Sequence, residues 1–185
     1  MKIQDGTGRQ YSTKVSSDNR LSTNSVSVSS DHFIARNTGK VWSVVFKDID
    51  PAGADDYFIY IKNNSTTFDY NVTDLRISST VAGQLEFNSV SGTASGGTTN
   101  TPVSRKIGSV NAPDITSETG TDITGLTSDG TVFLLTLEAD KMFQLRTSSN
   151  IIVQPGKSVA LLWGVSTGIL SGTLSVVEEP IVFDF

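Results

Sequence analysis

Short runs rich in Val, Ile, Leu, Phe and Trp recur through residues 132–185: VFLLTL, NIIV, SVALLWGV, GTLSVV and PIVFDF. Gly, Pro, Asn and Ser separate each run from the next. Apolar segments of four to eight residues, spaced by turn formers, predict an all-β sandwich or barrel, because each is long enough to cross a sheet and too short to bury a helical face. The same pattern begins at Val41, where VWSVVF, DYFIYIKNN, DYNVTDLRISS and GQLEFNSV predict four strands. Turn chemistry closes them, as in Asp-Pro-Ala-Gly at 50–53 and Asn-Asn-Ser at 63–65.

Two stretches depart from this pattern. Residues 1–30 are small and polar, ending in the alternation RLSTNSVSVSS. So few apolar groups cannot offset the entropy of fixing a backbone, so this stretch predicts an extended N-terminal arm that orders on its own domain or on a neighbour. Residues 91–130 carry SGTASGGTTNT, SRK and NAPDITSETGTDITGLTSDG, with isolated Val and Ile only. They predict a long Gly/Ser/Thr-rich loop within a single domain spanning 31–185, of the kind that serves contacts between subunits.

In SVALLWGV both alternating faces are apolar: Val159, Leu161 and Trp163 on one, Ala160, Leu162 and Gly164 on the other. A strand buried on both sides sits between two layers or beneath a subunit contact. In DYFIYIK, alternation places Tyr57, Ile59 and Ile61 together and Phe58, Tyr60 and Lys62 on the opposite face.

Composition narrows the function classes. The chain has 185 residues, enough for one well-buried core, and 37% of them are hydrophobic. A net charge of −5 opposes nucleic-acid binding, which needs a basic stripe. There is no cysteine, so disulfides, thiolate chemistry and Cys-based zinc sites are excluded. Neither a signal-peptide h-region nor a membrane-length apolar run occurs, which predicts a chain made soluble in a cytoplasm. Sequons at Asn63, Asn64 and Asn71 are expected by chance in so Ser/Thr-rich a chain.

Candidate chemistry is sparse. The single histidine, His32, excludes a His–His metal pair, and no G-x-S-x-G elbow supplies it with a nucleophile. Asp48, Asp50, Asp55 and Asp56 crowd one turn, but the spacing departs from an EF-hand and no closing Glu follows. The carboxylates of Glu178 and Glu179, and of Glu138 and Asp140, stand at strand ends, where charge protects sheet edges from pairing. The glycines of DGTG at 5–8 and SGG at 95–97 do not join a strand to a helix, as a phosphate loop must. No catalytic residue, cofactor site or metal site is therefore predicted. Among Tyr57, Tyr60, Tyr70, Trp42 and Trp163, Tyr60 is the best placed for an exposed ring that stacks on a glycan.

The opening I-x-DGTG, the polar V…RL-x-T-x-SVS segment, the YFIYIKNN strand and the VQPGKSVAL strand pair, taken in order, resemble small virion structural proteins of tailed bacteriophages. The resemblance spans most of the chain. It implies a jelly-roll-like antiparallel β-sandwich, a homotrimer, that decorates or cements the head by binding the major capsid protein, and no enzyme. It also implies an assembly arm carried by Ile3, Asp5, Gly6, Gly8, Arg20 and Leu21, a turn at Pro155, Gly156 and Lys157, and residence in the virion without nucleic-acid or membrane binding. The alternative is a lectin-like sandwich of a tail or fibre that binds host-surface glycans through Tyr60.

Overall fold

The computed structural model describes residues 34, 35 and 38–180. Among them the strands are β1 (Val41–Ile49), β2 (Asp56–Asn63), β3 (Phe68–Ser79), β4 (Gly83–Ser95), β5 (Thr98–Thr99), β6 (Val103–Ser104), β7 (Ile115–Thr119), β8 (Thr124–Leu137), β9 (Met142–Val153), β10 (Ser158–Trp163) and β11 (Leu170–Pro180). The fold is all-β. One sheet has the order β6-β1-β11-β3-β9 and the other β5-β7-β2-β10-β4-β8, and every pairing between these strands is antiparallel.

The inner faces of the two sheets share one core. Trp42, Val44 and Phe46 of β1, Tyr70, Val72, Leu75 and Ile77 of β3, and Leu174 and Val176 of β11 meet Phe58, Ile59 and Ile61 of β2, Leu85 and Phe87 of β4, and Val159, Leu161 and Trp163 of β10. The Phe46 and Phe58 rings cross the gap edge to face, with centroids 5.8 Å apart. Period-two alternation, read from the sequence, accounts for most of these positions. Gly172 permits the closest approach. A Cβ there would stand 2.1 Å from the Arg76 carbonyl oxygen and 2.6 Å from the Phe46 ring, so any side chain would push β11 off β3 and out of the core.

Strand β2 departs from alternation. Its register against β10 shifts, with Leu161 opposite Ile59 and Leu162 opposite Tyr57, which leaves Phe58 as the extra residue of a bulge. Phe58 and Ile59 therefore both enter the main core. Tyr57 turns outward with Tyr60, against the grouping that strict alternation predicts.

Residues 91–130 are not a structureless loop. β4 extends to Ser95 and β8 begins at Thr124, while β5, β6 and β7 lie between them. β7 lengthens the six-stranded sheet beside β2, and β6 lengthens the five-stranded sheet beside β1. Ser- and Thr-rich strands can do this because the ladder is made by backbone groups, and few of their side chains are buried. The segment also roofs the outer face of the six-stranded sheet: Ile123 packs on Tyr60, Val90 and Ala160, with Ala94 and Leu126 alongside. β10 is thus buried on both faces by its own chain, and all six of its residues are buried.

Asn63 fastens the sheets at one end. Its Nδ2 donates to the carbonyls of Phe68 (2.9 Å) and Val153 (2.8 Å), and its Oδ1 accepts from the Ser65 amide (2.9 Å). The Asn63 carbonyl accepts from Gly156 in the Pro-Gly turn, where Gly156 adopts φ +73°. Asn63 is wholly buried, and Asn71 nearly so.

Leu174→Ala is expected to lower stability by about 2–5 kcal/mol through the cavity left behind. Gly172→Ala is expected to cost roughly 1–3 kcal/mol through overpacking. Urea denaturation of each variant measures both, and a loss under about 0.5 kcal/mol for Leu174→Ala is incompatible with this packing.

Candidate functional site

Ile3, Asp5, Gly6, Gly8, Arg20, Leu21 and His32 lie outside the described residues. Tyr60 faces away from the main core as its position predicts, but it is only 3% exposed. Its hydroxyl lies 3.2 Å from Ser158 Oγ, and the Ile123 roof covers its ring, so it has no free face for a sugar. The expectation of an exposed platform is thereby corrected: residues 91–130 supply the cover. Trp42 and Trp163 are core residues whose indole N–H groups donate to the carbonyls of Asn111 and Thr167.

The acidic turn disperses its carboxylates. Asp48, at φ +53° in the β1 bulge, lies 3.4 Å from Lys47 Nζ and accepts from Ser171 Oγ, whereas Asp56 caps the Gly53 amide. Among the described residues no three His, Asp or Glu side chains gather at metal-binding distance. A depression of about 350 Å3 lies beside this bulge, lined by Asp48, Ser79, Thr80, Asp140 and Ser171. Its described lining offers hydroxyls and carboxylates.

The densest polar constellation is structural. Tyr70, fully buried, donates to Glu178 Oε2 (3.2 Å) and accepts from the Asp114 amide (2.8 Å). Glu178 also pairs with Lys40, whose ammonium lies 4.4 Å from the Phe68 ring centre. Burial pushes the Tyr70 phenol well above its ordinary value of 10.0, the Glu178 carboxylate adds to the rise, and the Asp114 amide opposes it. Glu138 pairs with Lys141 in the turn between β8 and β9.

The two lateral sides of the molecule are unlike. On the β1/β2 side, β5, β6 and β7 extend both sheets and Asn100 donates across to the Val45 carbonyl (2.7 Å). On the other side β8 and β9 end the two sheets among the described residues. The inward side chains Phe133, Leu135, Phe143 and Leu145 are only half-buried there. Val132, Leu134, Met142 and Ile152 are 50–74% exposed. Exposed apolar side chains on the two strands that end the sheets among the described residues have the chemistry of a contact surface. Sequence reasoning passed over it, although VFLLTL carries the signal: both of its alternating faces are apolar, as in SVALLWGV.

No protein family, curated protein or solved structure matches this chain.

Tyr70→Phe is expected to cost roughly 1–2 kcal/mol at neutral pH, because it leaves the Asp114 amide and Glu178 without their buried partner. In the native protein the phenol stays protonated at pH values where the unfolded chain ionises. Stability of the parent chain therefore falls as pH rises above about 10, and Tyr70→Phe flattens that slope. Urea midpoints at neutral pH and above pH 10 measure it, and equal slopes for the two proteins would refute the assignment.

Proposed function

We propose that this chain is a non-enzymatic virion structural protein of a tailed phage, a capsid decoration or cement protein that grips the major capsid protein and associates with itself as a homotrimer. The observation that carries this reading is the strand order. With β5, β6 and β7 set aside, the sheets run β1-β11-β3-β9 and β2-β10-β4-β8. Counted along the chain, that is 1-8-3-6 facing 2-7-4-5, the order of an eight-stranded jelly roll, an architecture used by viral capsid and lectin domains.

The fold alone does not select a function, so the surfaces must. A protein that cements particles needs a rigid body and contact strips. The doubly covered β10 supplies the first, and the exposed apolar side chains of β8 and β9 would supply a self-contact of the second kind. The net charge of −5 keeps the surface away from packaged DNA. The N-terminal 1–30 segment fits the role of an assembly arm on a neighbouring subunit or on its own domain. The glycan-binding alternative loses its only named contact with the burial of Tyr60.

The purified chain is expected to sediment at three times its 19.7 kDa mass and to bind phage heads. Leu134→Lys together with Met142→Lys, both at exposed positions, is expected to give a monomer with an unchanged circular dichroism spectrum. Immunogold labelling of intact particles should decorate heads. A parent chain that stays monomeric and leaves particles unlabelled overturns the proposal.

A further inference from the structure

The large apolar side chains left exposed fall into two groups. Among the described residues they are Val45, Val103, Ile107 and Val110, then Val132, Leu134, Met142 and Ile152, with Ile169 apart from both. The first four belong to β1, β6 and the loop that joins β6 to β7, and the second four to β8 and β9. In the five-stranded sheet β6 stands at one end and β9 at the other, and in the six-stranded sheet β7 and β8 lie towards opposite ends. At about 4.8 Å per strand, β6 and β9 are separated by roughly 19 Å of sheet. A contact between the two groups therefore has to join two copies of the chain.

The first group ends in a tip. Ile107 is 99% exposed and Val110 97%, yet the chain on either side of them is fastened. The Arg105 amide donates to the Val41 carbonyl (2.8 Å), and Ser104 Oγ donates to the Gly39 carbonyl (3.1 Å). Asn111 Nδ2 donates to the Thr38 carbonyl (2.6 Å), and the Asn111 carbonyl accepts from the Trp42 indole (3.4 Å). Between these feet the Ser109 amide donates to the Lys106 carbonyl (2.9 Å), closing a turn whose third residue is Gly108 at φ +85°. A turn already held in shape presents its side chains at little further cost in ordering. Val103 stands opposite Ser43 in the ladder and Val45 follows Ser43 on the same outward face, so both valines lie at the foot of the loop.

The two ends also differ in charge. Arg105 and Lys106, both exposed, are the only charged residues in 87–113, and neither takes part in a salt bridge among the described residues. At the other end Glu86 stands directly opposite Leu134 in the ladder. Exposed Asp129, Glu138 and Asp140 lie on β8 and in the turn after it, against the single cation Lys141.

We propose that the 103–110 end of one subunit docks on the β8 and β9 end of the next. This rests on the self-association proposed above and specifies its faces. Both halves are apolar and their charges are opposite, which selects a second copy as the occupant. Either end set against its own copy would bring Arg105 and Lys106 to cations, or carboxylates to carboxylates, and like charges disfavour both. Each copy carries both halves at opposite ends, so the contact is head to tail, and it closes into a homotrimer when successive subunits turn by a third of a circle.

Ile107→Asp with Val110→Asp, in the full chain, changes two side chains that are almost fully exposed, so the circular dichroism spectrum and urea midpoint are expected to hold. In sedimentation equilibrium the parent is expected at three times 19.7 kDa and this variant at 19.7 kDa. A trimeric parent whose variant is also trimeric overturns the docking and leaves the homotrimer standing, whereas a monomeric parent overturns both. A variant that stays trimeric but no longer binds phage heads assigns the tip to the capsid protein and overturns the docking as well. The chain has no cysteine, so the pairing can be read directly. Val110→Cys and Met142→Cys are made singly and together and treated with a flexible bismaleimide. The double variant is expected to yield covalent dimers and trimers, and each single variant none. Cross-linking of either single variant would show like ends in contact and overturn the head-to-tail arrangement, as would a double variant that stays uncoupled.

Discussion

The six buried residues of β10 set the constraint from which the architecture follows. Val159, Leu161 and Trp163 face the main core and Ala160 faces the outer cluster, so both faces of one central strand must be dry. At roughly 25 cal/mol per Å2 of apolar surface, leaving either face wet would forfeit several kcal/mol, comparable to the whole stability of a domain this size. The five-stranded sheet satisfies the inner face. Residues 91–130 satisfy the outer one, and in doing so they become ordered strands despite a composition that offers them little hydrophobic reason to fold.

That solution makes the molecule lopsided. The segment between β4 and β8 caps the β1/β2 side, extends both sheets and ties itself in through Asn100, Asn111 and Asp114. Nothing equivalent guards β8 and β9 among the described residues, and their inward side chains stay half-buried.

Fold class was legible because alternation is a local property: one pass over VWSVVF, GTLSVV or SVALLWGV already assigns the core face of β1, β11 and β10. Two kinds of information were not local. The bulge at Phe58 inserts one residue against β10 and regroups Tyr57, Phe58 and Tyr60, an effect fixed by pairing geometry and not by the sequence of β2 alone. The burial of Tyr60 depends on Ile123, more than sixty positions away, and turned an apparent surface ring into a covered one. The Tyr70, Glu178 and Lys40 network was equally invisible, since its members come from three separated segments and carry no common motif. The acidic turn illustrates the converse: Asp48 and Asp56 lie close in sequence, yet a bulge and a tight turn send one to Ser171 and the other to the Gly53 amide.

The pairing of β1 with β11 governs how the polypeptide can acquire its form. Trp42 lies opposite Val176 and Val44 opposite Leu174, so the first strand described finds its long ladder in the last, with only a two-residue pairing to β6 on its other side. During synthesis on the ribosome, that ladder must wait for almost the entire chain, while the partners of the β2–β7 and β4–β8 pairings emerge earlier. Contacts so distant in sequence make folding slow, on the order of milliseconds to seconds, and leave an unpaired apolar edge exposed in the interval. The newborn chain therefore holds one long edge of β1 without its ladder until Leu170–Pro180 emerges.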